Sequence, residues 1–228
     1  MRTLSAVVVA GLTVLSLGCK QPYDEPYQAT PAPSGRKPNL PGVPALPTLP
    51  LKAGESWTVY GATHHINSDI HRSEVAGKKL TIEGYIVESN IPSAPACALH
   101  EVGKKDPDDC KAEVPRFAIA DKKGDTSGRK IGVLGWARNF AVVFEAEKAY
   151  HDKKEAPKEL VKDDVWGVDV PFPLPAVGAK VRITGNYDFN FTKSTTGMVS
   201  DPDNGILTFE KIEVLEPAEA PASFANKK

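Results

Sequence analysis

Gly77–Glu88, GKKLTIEGYIVE, alternates apolar and polar residues and carries a glycine in its interior. Successive side chains of an extended strand point to opposite faces, so Leu80, Ile82 and Ile86 share one face while Thr81, Glu83, Tyr85 and Val87 share the other. Pro92 ends the pattern. Gly178–Tyr187, GAKVRITGNY, repeats it: Gly, any residue, Lys, aliphatic, any residue, Ile, any residue, Gly. A glycine inside a strand marks a bend or a barrel corner, so Gly84 is expected to bend the first strand and Gly185 the second.

The segments between and around these two complete a set of short elements. Ser56–Tyr60 and Val165–Val170 read as minor strands. Arg116–Asp121, with Phe117 and Ile119 on one face, and Lys130–Trp136, with Ile131 and Val133 on one face, flank the turn-forming KKGDTSGR and read as a hairpin. In Asn139–Lys153 the period changes to that of a helix, with Phe140, Val143, Phe144, Glu147 and Tyr150 on one stripe and Asn139 as its N-cap. In the last strand, Gly205–Leu215, Leu207 and Phe209 have one parity and Ile212 and Val214 the other. That switch requires an extra residue, a β-bulge near Glu210–Lys211.

The resulting order is strand, long loop, strand, tight turn, strand, helix, strand, loop, strand. It resembles the OB-fold, a five-stranded Greek-key barrel with its helix between strands three and four. The residues carrying the resemblance are GKKLTIEGYIVE, RFAIAD, KIGVLGW, the helix from Asn139, GAKVRITGNY and GILTFEKIEVL. The resemblance implies that the two echoing strands are neighbours, and that a ligand would meet the face of strands two and three. Phe117 and Trp136 are the aromatics best placed on that face, with burial of both in the core as the favoured account. A β-sandwich of immunoglobulin type is the competing fold, disfavoured by the mid-chain helix.

Upstream, Met1-Arg2-Thr3 gives a positive start, Leu4–Gly18 is a short apolar run, and Cys19 follows. This resembles a bacterial lipoprotein signal, with Ser16 where that family usually has leucine. The resemblance implies a cleaved segment 1–18, lipidation at Cys19, and export to the cell envelope; Lys20 after the cysteine implies the outer membrane. Residues 19–55 form the tether. Gln21–Leu51 holds nine of the chain's twenty prolines, which exclude helix and central strand and give an extended spacer with a reach on the order of 90 Å. What remains is one domain, 56–216, of roughly 160 residues, and an alanine- and proline-rich tail, 217–228, expected to fray.

With 28 basic and 29 acidic residues the net charge is −1, so there is no general attraction to nucleic acid. Once Cys19 is lipidated, Cys97 and Cys110 are left inside the long insertion Ile91–Pro115. A pair in an exported protein reads as a disulfide, worth ~3 kcal/mol for a loop of this size. Three of the five histidines, His64, His65 and His71, cluster in Gly61–Ser73, but match no tight zinc pattern. A polar surface segment is the favoured account of them, with a metal site, extended by His100, as the alternative. Asp201 and Asp203 lack the further acidic positions of a calcium loop. No nucleophile–base–acid set, carboxylate pair or phosphate-cradling loop is recognisable. The expectation is therefore a non-catalytic, cofactor-free binding or scaffolding module with an envelope protein or glycan as partner. The alternatives are metal binding, or oligosaccharide or nucleic-acid binding.

Overall fold

The computed structural model describes residues 49–151, 153, 155, 161–189 and 204–225, all within the unit Pro47–Lys228. Segment 1–18, Cys19, the tether up to residue 48, Asp201, Asp203 and residues 226–228 lie outside the described residues.

The fold is mostly β. Its strands are β1 (Lys52–Ala53), β2 (Ser56–Thr58), β3 (Lys78–Ser89), β4 (Phe117–Ala120), β5 (Lys130–Leu134), β6 (Lys162–Asp163), β7 (Val168–Asp169), β8 (Lys180–Asp188) and β9 (Ile206–Glu216). Its helices are α1 (Val59–Thr63), α2 (Asp69–Val75) and α3 (Phe140–Tyr150). Seven strands form one mixed sheet in the order β1-β2-β3-β4-β5-β9-β8, with β3 also paired to β8; β6 and β7 form a separate ribbon. The strand count thus exceeds the expected five, because β1 and β2 add an edge beside β3 and the Val165–Val170 region folds into the ribbon. The helix count exceeds one because Val59–Val75 holds two short helices. Their brevity hid them: α1 has only five residues and α2 seven, too few turns to display a period.

The two echoing segments are antiparallel neighbours, from Lys78 opposite Tyr187 to Tyr85 opposite Lys180. Ile82 faces Ile183, and both are fully buried. Around them Leu80, Ile86, Phe117, Ile119, Ile131, Val133, Val181 and Leu207 form the core with Phe140 and Val143 of α3. Each large side chain so buried stabilises the fold by about 1.5–3 kcal/mol. Asn139 caps α3, its Oδ1 accepting from the Val142 N–H at 3.1 Å.

The parity switch in β9 is resolved by a bulge. Thr184 pairs with Lys211 and Gly185 with Phe209, leaving Glu210 as the extra residue. A second bulge sits in β3, where Ile86 faces Ile119 but Glu88 faces Ala118, so that Val87 is extra. Of the tail, Pro217–Ala225 is described; most of it is exposed, Ala218 and Ala222 are half-buried, and Phe224 is buried. Phe224 is 5% exposed and meets Phe140 and Phe144 edge-on at 6.3 and 5.9 Å.

Candidate functional site

The Val87 bulge shapes a groove on the outer face of the sheet. By simple alternation Glu88 would share the core face of Ile86. With Val87 extra, its side chain turns outward, a common use of bulges. Glu88 then heads a row running straight across four strands: opposite Ala118 on β4, which is opposite Gly132 on β5, which is opposite Ile206 on β9. The middle of the row has a methyl group and a hydrogen for side chains, while its ends carry long ones. The result is a groove of about 300 Å³ lined by Glu88, Ser89, Asn90, Ser93, Arg116, Phe117, Ala118, Lys130, Gly132, Leu134 and Ile206. A side-chain atom added at Gly132 would meet nothing within 4 Å.

Charges over the groove are balanced. Lys130 Nζ bonds Glu88 Oε1 at 2.5 Å across the outward methyls of β4. Arg116 lies 3.3 Å from Glu113. One end is apolar, with Val114 and Trp166 packed on Leu134 and Ile206. Trp166 is placed by Asp163, whose fully buried carboxylate accepts from the Arg138 N–H at 2.5 Å and from the Val165 and Trp166 N–H groups at 3.0 Å each. Neither Asp163 nor Glu88 emerges from sequence patterning alone. Signals existed for both: an aspartate two and three residues before the amides it binds is an Asx turn, and a carboxylate at a core-parity position announces a bulge.

The other rim is the insertion that follows β3. Asn90 closes its neck, donating Nδ2–H to the Val114 carbonyl at 2.8 Å and accepting from the Arg116 N–H at 2.8 Å. Cys97 and Cys110 form a disulfide across it, with Cα atoms 5.9 Å apart. Glu145 of α3 accepts from the Val102 N–H at 2.7 Å. His100 bonds the Glu101 carbonyl through Nδ1 at 2.9 Å and Asp106 through Nε2 at 2.6 Å. Those two acceptors, the carbonyl first, raise its pKa above the ordinary histidine value.

Phe117 and Trp136, the aromatics considered for a ligand face, belong to the core. They are 2% and 0% exposed, with ring centroids 6.1 Å apart. Phe117 shares the inward parity of Ile119, and Trp136 lies beyond the end of β5, where the chain turns under the sheet toward α3.

The histidines are brought together, His64 lying 4.2 Å from His71 and 5.3 Å from His65 between ring centroids. Two of them already bond main chain: His64 Nδ1 to the Gly61 carbonyl at 2.9 Å and His71 Nε2 to that of Ala62 at 3.3 Å. Among the described residues, no three His, Cys, Asp or Glu side chains are arranged to hold a metal ion, and His100 is committed to Asp106 in the insertion. Asp121 caps α1 in the same region, accepting from the Val59 and Tyr60 N–H groups at 2.8 and 2.7 Å; burial raises its pKa despite those bonds.

No protein-family model matches the chain, and no curated protein matches it.

Proposed function

We propose that this chain is an envelope-tethered lipoprotein whose folded domain is a non-catalytic binding module built on an OB-type barrel. The barrel assignment rests on the pairings: β3 to β4, β4 to β5, β5 to β9, β9 to β8 and β8 back to β3. It also rests on the parallel β5–β9 pair and on α3 standing between β5 and β8. The anchor assignment rests on the N-terminal sequence with Cys19 and on the proline-rich spacer.

The binding surface is the groove over β3, β4, β5 and β9. The observation that carries it is the row Glu88–Ala118–Gly132–Ile206, open at its centre where a strand would ordinarily present side chains. This is the barrel face on which OB domains take ligands. Its balanced charge disfavours a polyanion. Among the described residues its lining offers a nucleic acid no exposed ring, and the half-buried Trp166 at its apolar end is a single platform rather than a stacking series. A shallow floor with opposite charges at its side and an apolar end suits an extended peptide with small side chains, drawn from another envelope protein. The Glu88–Lys130 pair would exchange partners with the peptide's own polar groups.

A photo-crosslinking residue in place of Lys130, in cells making the lipidated chain, tests this. A discrete protein adduct that is missing when the same residue replaces exposed Lys211 is expected. Adducts from both positions or neither would overturn it, and a glycan adduct from position 130 alone would favour an oligosaccharide ligand instead.

A further inference from the structure

We propose that the surface of α3 and the adjoining proline loops is a second docking site, for an extended proline- and alanine-rich peptide carrying a phenylalanine. The chain's own C-terminal segment occupies it in cis. Directly after β9 ends at Glu216, Pro217–Ala225 crosses the domain in no regular structure. Among the described residues a single main-chain hydrogen bond fastens it, from the Ala225 N–H to the Pro92 carbonyl at 3.4 Å. Its ion pair among the described residues, Glu219 with Lys123 at 2.7 Å, is exposed. Phe224 is the anchor, inserted edge-on to Phe140 and Phe144 and 5% exposed.

Between the anchor and β9 the segment lies on the surface: Ala218 and Ala222 are half-buried against the core, while Pro217, Glu219, Ala220, Pro221 and Ser223 are exposed. Ala220–Ser223 line an open depression of about 230 Å³ together with Pro92 and Pro175–Val177. One buried aromatic anchor, an extended proline-containing backbone and exposed flanks are features of a peptide seated in a groove. Direct attachment to β9 gives the cis segment a high effective concentration, so a peptide in trans binds only when the anchor is withdrawn.

The test uses full-length chain carrying Phe224→Ala and a fluorescent peptide of sequence PAEAPASFANKK, read by anisotropy. Saturable binding to the variant is expected, at least about tenfold weaker to the wild-type chain and at least about tenfold weaker when the peptide itself carries Phe224→Ala. No saturable binding to the variant, or binding indifferent to the peptide's phenylalanine, would overturn the proposal. So would loss of the domain's fold in the variant by circular dichroism, which would make Phe224 an integral part of the core.

Discussion

The seam that β8 forms with β3 and β9 and the row across β3, β4, β5 and β9 each turn on a glycine, and the two glycines do opposite things. At Gly185 the space a side chain would occupy is taken by β9: an added Cβ would lie 2.1 Å from the Thr208 carbonyl oxygen. At Gly132 that space is left open, with nothing within 4 Å. One glycine lets two strands close on each other beside the Glu210 bulge. The other keeps a surface from filling itself. The same residue type in similar strand contexts therefore marks architecture in one place and a site in the other, and only the neighbouring backbone tells them apart.

Substitution separates the two. Gly185→Ala has the largest expected effect. The atoms it meets are main chain and cannot rotate away, so β9 must shift, at a cost of about 3 kcal/mol; the urea midpoint should fall accordingly, and an unchanged midpoint would break the contrast. Gly84→Ala should cost less, about 1–2 kcal/mol, since its nearest contacts are the Ala120 carbonyl oxygen at 2.9 Å and a Val59 methyl at 3.2 Å that has some room to yield. A smaller effect is expected at the groove's rim. His100 gains its two acceptors on folding, so its pKa is raised and its contribution is complete below the ordinary histidine value of about 6.5, then lost as pH rises through the folded value. Asp106→Asn should lower the His100 pKa in an NMR titration and reduce acid-side protection of the Val102 amide. An unmoved titration would mean that the Glu101 carbonyl alone sets it.

Much of the seam was legible because apolar alternation and interior glycines are local signals. Leu80, Ile82, Val181 and Ile183 announced their faces, and the parity break between Phe209 and Ile212 announced the bulge at Glu210. The groove was far less legible. Its floor consists of what is missing from Ala118 and Gly132, its charged end depends on a bulge at Val87, and its apolar end depends on Asp163 binding amides from two separate stretches of chain. Phe117 and Trp136 were the aromatics considered for a ligand face, and both are core, the favoured account, because in a small domain large rings contribute most when buried. The tail's composition is that of a solvated segment, and most of its described residues are exposed; the burial of Phe224 is the part that composition does not show.

The most direct test of the groove's role is Gly132→Val. A β-branched residue suits a strand, and its methyl groups would enter open space, so stability should stay within about 0.5 kcal/mol of the wild type. The groove, however, would lose its floor. With both proteins folded to the same extent, affinity for the partner cross-linked from position 130 should fall at least about tenfold in Gly132→Val. A stable Gly132→Val that binds that partner as tightly as the wild type would contradict the assignment of this groove as the binding site.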